Sequence, residues 1–127
     1  MVTLVDLKKL KIHERTSRSR LQAVKKMIFA SAYFREPIIV DKKNFIILDG
    51  HHRVQLLKQL GYKKVPAYLV DYQSREVTVT SRRDNCPVSK DSIILRALSG
   101  RPYPYKTSRH SITDRPKNLK IKFCELK

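Results

Sequence analysis

The stretch Phe45-Ile46-Ile47-Leu48-Asp49-Gly50-His51-His52-Arg53 limits the fold more than any other part of the chain. Phe45 to Leu48 has the apolar, β-branched character of a buried strand. Val54, Leu56, Leu57 and Leu60 then recur at helical spacing until Gly61 stops them. Strand must therefore hand over to helix inside the polar cluster. The first turn of a helix leaves backbone N–H groups unpaired and carries a partial positive charge. Asp49 to Arg53 is accordingly predicted to form an anion site, with phosphate the first anion to consider.

At 127 residues and 41% hydrophobic content, the chain has the size and apolar content of one compact domain. Lys and Arg number 28 against 11 Asp and Glu, a formal net charge of +17. Such a field attracts polyanions, which makes nucleic acid, nucleotides or an anionic surface the expected partners. The alternative is that many lysines only solvate helix faces and tails. Cys86 and Cys124 have neither the spacing of a zinc site nor that of a disulfide framework. With no secretory h-region after Met1 and no apolar run as long as a membrane span, a soluble cytoplasmic protein with no membrane partner is expected.

Val2 to Val5 reads as an edge strand, and Asp6 to Arg15 as strand end and loop. From Ser17 to about Ala32, Leu21, Val24 and Ile28 mark an amphipathic helix with a basic face. Pro37 to Asp41 and Phe45 to Leu48, joined by Lys42-Lys43-Asn44, predict a hairpin. Further strands are expected at Val65 to Tyr72, with Pro66 at its start, and at Glu76 to Thr80. A helix follows from Ser89 or Lys90 to Leu98, stopped by Ser99-Gly100. The stiff segment Arg101-Pro102-Tyr103-Pro104-Tyr105 leads into Lys106-Thr107-Ser108-Arg109-His110, read as an irregular loop. The fold class is thus α+β: a single small domain over residues 1–110 with a mixed sheet and about three helices. Residues 111–127 form a basic tail with one candidate strand at Leu119 to Phe123.

Asp49 can cap the helix or hold a metal ion that bridges phosphates. Gly50 permits close backbone approach to a ligand, or simply a tight turn. His51 and His52 are adjacent, which suits two N–H donors to phosphate better than a metal pair, and a structural histidine is the alternative for either. Arg53 offers a planar donor fork, or a surface ion pair. Glu14 is a carboxylate in a basic neighbourhood, a general base or metal ligand on one reading and a cap or ion-pair partner on the other. Thr107, Ser108, Arg109 and His110 read as a second anion cradle, or as a plain basic loop.

The segment Pro37 to Tyr72, centred on Ile-Leu-Asp-Gly-His-His-Arg and continuing through Leu-Gly to Val-Pro-Ala-Tyr-Leu-Val-Asp-Tyr, resembles the ParB N-terminal/sulfiredoxin superfamily. Within it, the chain looks most like the archaeal ParB-like nucleases and the ADP- or ATP-dependent free serine kinases. The resemblance implies that the turn at Gly50 to Arg53 binds nucleotide phosphates. It also implies that Lys106 to His110 contributes to phosphate binding, and that Glu14, in Ile-His-Glu, stands at the place of the kinases' catalytic base. Sulfiredoxin needs a cysteine where His51 and His52 stand, so reduction of sulfinic acid is excluded. The CTP-hydrolysing partition proteins carry Gly-Glu-Arg-Arg in the turn and a following helix-turn-helix domain, and neither is present. The kinases are longer between the two phosphate segments.

Three functions follow. The charge favours a ParB-like enzyme that binds ATP or ADP with Mg²⁺, hydrolyses it and acts on or with DNA, with possible nuclease activity. In it, Gly50, His51, His52, Arg53 and His110 help cradle the nucleotide, and Thr107, Ser108 and Arg109 close from the other side. Asp49 orients Mg²⁺, and Glu14, with His51 and Asp49, carries the chemistry. The second function is transfer of phosphate from ADP or ATP to free L-serine. The third is a non-catalytic, nucleotide-sensing DNA-binding module.

Overall fold

In the computed structural model, which describes residues 2–127, the expected hairpin forms from β3 (Ile38–Asp41) and β4 (Ile47–Asp49), paired antiparallel. A buried carboxylate shapes its turn. Asp41 accepts hydrogen bonds from the Lys43 N–H at 3.2 Å and the Asn44 N–H at 3.1 Å, a side chain standing in for backbone where the chain reverses.

Ile38, Ile39, Val40, Ile46 and Ile47 are all fully buried, because the sheet they belong to is covered on both faces. Alternation sends Ile38, Val40 and Ile47 into one core, with Val54, Leu57 and Leu126. It sends Ile39, Ile46 and Leu48 into a second core, with Tyr72, Val77, Ile93 and Tyr103. The sheet itself is mixed. β1 (Val2–Asp6) lies at its edge, antiparallel to β5 (Lys64–Val70), which is parallel to β3, giving the order β1-β5-β3-β4. Pro66 pairs only across from Leu4, one position before the pairing with β3 begins at Ala67, so its missing N–H is tolerated inside a central strand.

Helices α1 (Arg18–Phe29) and α2 (His51–Gln59) pack together on the first face. Ser17 caps α1 by accepting from the Arg20 N–H. The helix ends at Phe29, short of the expected Ala32, and the Ser31 hydroxyl accepts from the Tyr33 N–H and the Arg35 side chain as the chain turns. On the second face, α3 (Lys90–Ser99) starts with a reciprocal Ser89–Ser92 capping box and stops at Gly100 in the left-handed region.

The strand expected at Glu76 to Thr80 is β6 (Val77–Ser81), and it pairs antiparallel with β7 (Ser108–Ile112). Ser108 to His110 is therefore strand, not irregular loop, since the hydrogen bonds of β6 need a partner and this segment supplies them. The candidate strand at Leu119 to Phe123 is realised as β8 (Ile121–Lys122), paired with β2 (Tyr33–Phe34) and followed by a 3₁₀ turn, Phe123–Leu126. Leu126 is buried in the first core, and its carbonyl accepts from the Lys63 N–H at 2.8 Å. Over the described residues the fold class is α+β, with three α-helices and a mixed sheet.

Gly50 joins β4 to α2 with φ +116°, and a Cβ there would lie 2.4 Å from Ile38 Cγ2. Gly50→Ala is expected to lose about 3 kcal/mol of stability from backbone strain and overpacking together, read as a lowered denaturant midpoint with unchanged slope.

Candidate functional site

Three segments converge on a cleft: the β4–α2 junction, the extended chain at His13-Glu14, and β7. Asp49, Gly50, His51, His52 and Arg53 line it, together with Glu14, Ser108, Arg109 and His110. Thr107 does not. It is fully buried, and its hydroxyl donates to the Pro104 carbonyl at 2.6 Å, closing the turn in which Lys106 takes φ +59°.

Gly50 is the N-cap of α2 and has no side chain to fill the role, so the first-turn donors stay open. Among the described residues, nothing accepts from the backbone N–H groups of His51, His52 or Arg53. The anion site expected at this helix start is thereby present as geometry. Asp49 does not cap it. Its Oδ2 pairs with Arg115 at 2.6 Å and lies 3.8 Å from Arg53. Those two guanidiniums commit one oxygen and oppose a dication at the other, so Asp49 does not fit a resident Mg²⁺ ligand. No group of three or more His, Cys, Asp or Glu side chains among the described residues is placed to hold a metal ion. Arg53 is similarly engaged. It donates to the Glu36 carbonyl at 2.6 Å and lies over the Phe34 ring, so it braces the turn rather than offering a free fork.

The histidines were expected to donate to phosphate through their rings, and their Nε2 atoms are otherwise used. His51 Nε2 accepts from the His13 N–H at 3.2 Å, and His52 Nε2 accepts from the Ser17 N–H at 3.1 Å. A backbone N–H can only donate, so each Nε2 is bare and each Nδ1 carries the proton of the neutral ring. The pair thus fastens the chain before α1 to the start of α2. Burial, and then the neighbouring rings of His13, His110 and His52, holds His51 well below its ordinary pKa. Burial and then Arg20 lower His52.

Glu14 lines the same cleft as this helix start. Its Oε1 accepts from the Thr107 N–H at 3.2 Å, the Ser108 N–H at 2.9 Å and the Ser108 hydroxyl at 2.9 Å. Its backbone is bridged to Tyr103: the Arg15 N–H donates to the Tyr103 carbonyl and the Tyr103 N–H to the His13 carbonyl. Among the described residues Oε2 has no partner, so the carboxylate is held by one oxygen and leaves the other for the cleft. In place of a second phosphate cradle, the Thr107 and Ser108 groups serve Glu14. Of that predicted set, Arg109 alone is exposed and directed by the strand's alternation away from its buried neighbours Ser108 and His110.

Sequence reasoning missed His13, Tyr72 and Arg115. His13 is 1% exposed; its Nδ1–H donates to the Ile47 carbonyl at 2.8 Å and its Nε2 lies 3.0 Å from Ser108 Oγ. The His51 and His110 rings pack edge-on against it, with centroids at 4.5 and 5.3 Å. Tyr72 OH lies 2.7 Å from His110 Nε2, and burial followed by Asp41 raises the phenol pKa, so the hydroxyl is the donor. His110 Nδ1 is buried with no hydrogen-bond partner among the described residues. A lone His in Lys-Ile-His-Glu gives no local sign of such a role. The one available hint is its position next to Glu14.

No protein-family model matches the chain. It is 38% identical over 78 residues to an ATP-dependent L-serine kinase of Staphylothermus marinus, covering 58% of this chain and 31% of the relative. An ADP-dependent L-serine kinase of Thermococcus kodakarensis is 34% identical over 79 residues, covering 59% and 33%. A protein of Sulfolobus acidocaldarius described as ParB-like is 48% identical over 58 residues, covering 46% and 28%. The chain spans about a third of the length of the curated relatives it matches. A free serine kinase solved in complex with AMP has the same fold, with TM-score 0.88 at 17% identity over 99% of this chain and 93% of that one.

Serine kinases and a ParB-like protein both stand among the relatives, so the resemblance to the ParB N-terminal/sulfiredoxin superfamily holds. The expectation of a DNA-acting ATPase or nuclease is overturned, because the relatives with a stated activity are serine kinases. The DNA partner, and with it the DNA-binding module, rested on net charge. Charge reports a long-range field and does not identify what fills a site. No helix of the described residues is long and apolar enough to cross a membrane.

Burial holds His13 at about 4 and His110 at about 3, against 6.5 for a free ring, with the Ile47 carbonyl pulling His13 partly back. Between these values and 6.5 the unfolded chain binds more protons than the folded one, so stability rises with pH across that window. It is complete above pH 6.5 and is lost as pH falls toward 4. The loss from His13 alone is on the order of 3 kcal/mol, and denaturant midpoints measured across the window are expected to fall accordingly.

Proposed function

We propose that this chain carries the phosphoryl-transfer site of a kinase that moves the terminal phosphate of ADP or ATP to the hydroxyl of free L-serine. The observation that carries the reading is Glu14: one oxygen is fixed by two backbone N–H groups and a hydroxyl, and the other is open to the cleft opposite an unpaired helix start. The kinase relatives supply the reaction class.

In this reading the phosphates sit on the first-turn N–H groups of α2, where the dipole favours negative charge and the Gly50 turn lets the backbone come close. Arg109 and Lys106 supply charge from the other wall. Glu14 Oε2 takes the proton of the serine hydroxyl as its oxygen attacks the terminal phosphorus, and the bond from phosphorus to the departing nucleotide oxygen breaks. The products are phosphoserine and AMP, or ADP when ATP is the donor. Asp49, Arg53 and Arg115 keep the turn in place. Such a site works by positioning and charge, which is most of what phosphoryl transfer asks of a protein.

Incubation with L-serine and ADP or ATP labelled in the terminal phosphate is expected to give labelled phosphoserine. Glu14→Gln should lower kcat about 10²- to 10⁴-fold while leaving nucleotide affinity close to that of the parent chain. Release of inorganic phosphate with no phosphoserine from either donor would reject the reading.

A further inference from the structure

Ser108 stands between two acceptors with one hydrogen to give. Its Oγ lies 2.9 Å from Glu14 Oε1 and 3.0 Å from His13 Nε2. The tautomer of His13 is fixed from its far side: the Ile47 carbonyl at 2.8 Å can only accept, so Nδ1 bears the proton. Burial keeps the ring from taking a second one, and Nε2 is bare. The rings that pack around it, His51 and His110, are buried and neutral as well, and neither offers Nε2 a donor. While Glu14 is ionised, the charge-assisted bond takes the hydroxyl hydrogen, and two lone pairs face each other across the 3.0 Å from Oγ to Nε2.

We infer that Ser108 and His13 form a positioning pair that follows the charge of Glu14, the Ser108 hydroxyl donating to Glu14 before proton transfer and turning to His13 after it. This rests on the kinase reading for its place in the reaction. The balance is simple. The serine proton moves to Glu14 Oε2, the Ser108 hydrogen stays on its own oxygen and only rotates, and His13 gains a hydrogen bond without gaining a proton. The Oγ–Nε2 contact is thus unsatisfied in the ionised state and satisfied in the protonated one, the hydrogen being given up by the Oγ–Oε1 contact in exchange. Ser108, read from the sequence as a phosphate ligand, thereby acts through Glu14 instead.

The Nε2 resonance of His13, in a ¹⁵N-labelled chain, tests the switch without turnover. Glu14→Gln mimics the protonated carboxyl: the N–H groups of Thr107 and Ser108 hold the amide oxygen where Oε1 was, and the weaker neutral acceptor releases the hydroxyl to His13. The Nε2 signal is expected to move upfield in Glu14→Gln relative to the parent chain, and Ser108→Ala in the same background should abolish the move. An Nε2 signal that is the same in the parent chain and Glu14→Gln overturns the inference. In the kinase assay, Ser108→Ala should lower kcat about tenfold to a hundredfold with little change in nucleotide KM, and Ser108→Thr, which keeps the hydroxyl, should recover most of it. Unchanged kcat in a Ser108→Ala chain that melts like the parent removes the pair from the reaction. A parent chain that makes no phosphoserine rejects the kinase reading, and the resonance still decides whether hydroxyl and carboxyl are coupled.

Discussion

The hydrogen bond from the His13 ring to the Ile47 carbonyl sets which ring nitrogen of His13 carries its proton. By placing the proton on Nδ1 it leaves Nε2 bare toward Ser108, and Ser108 is one of the groups that hold Glu14. The backbone of the same residue donates to His51, whose helix start forms the facing wall. His13 therefore joins both walls through its ring and its amide. Burial keeps this imidazole neutral, because a second proton would place a charge where little solvent reaches it.

The walls differ in kind. One is a helix N-terminus whose donors are backbone groups and cannot titrate, held open because Gly50 offers no side chain to cap it. The other is a carboxylate fixed by strand and turn amides. Basic side chains surround both, and the arginines nearest the turn, which line the cleft, are paired with Asp49. A net charge of +17 thus overstates how much positive charge the site presents. In the proposed reading the phosphates rest largely on oriented amides, which a count of lysines and arginines does not register.

What could be read from the sequence was local. The β3–β4 hairpin, α2 and the Gly50 junction are written in contiguous apolar runs with a glycine at the switch, and α3 carries its own cap and stop. Ser108 to His110 was misread because its strand is imposed from outside. The segment has little β-branched character, and its inward Ser108 and His110 and outward Arg109 become a pattern only once β6 lies beside it. His51 and His52 stand out in the sequence as candidate site residues and do line the cleft, but their ring partners are His13 and Ser17, more than thirty positions earlier in the chain. Spacing within a segment carries no trace of such pairings.

The last residues show the same dependence on distant partners. Arg115 closes on Asp49 at 2.6 Å, and the 3₁₀ turn that follows β8 sends Leu126 into the core behind α2. Phe123 packs on Phe29, Phe34 and Tyr62, so the C-terminal turn touches the end of α1, β2 and the segment after α2 at once. The helix whose N-terminus forms one wall is thus backed by residues contributed more than sixty positions later. An open helix start holds its donors in register only if the helix cannot shift along the sheet. Leu126 and Phe123 pack on that side of the fold, while Gly50, wedged against Ile38, fixes the end at the cleft.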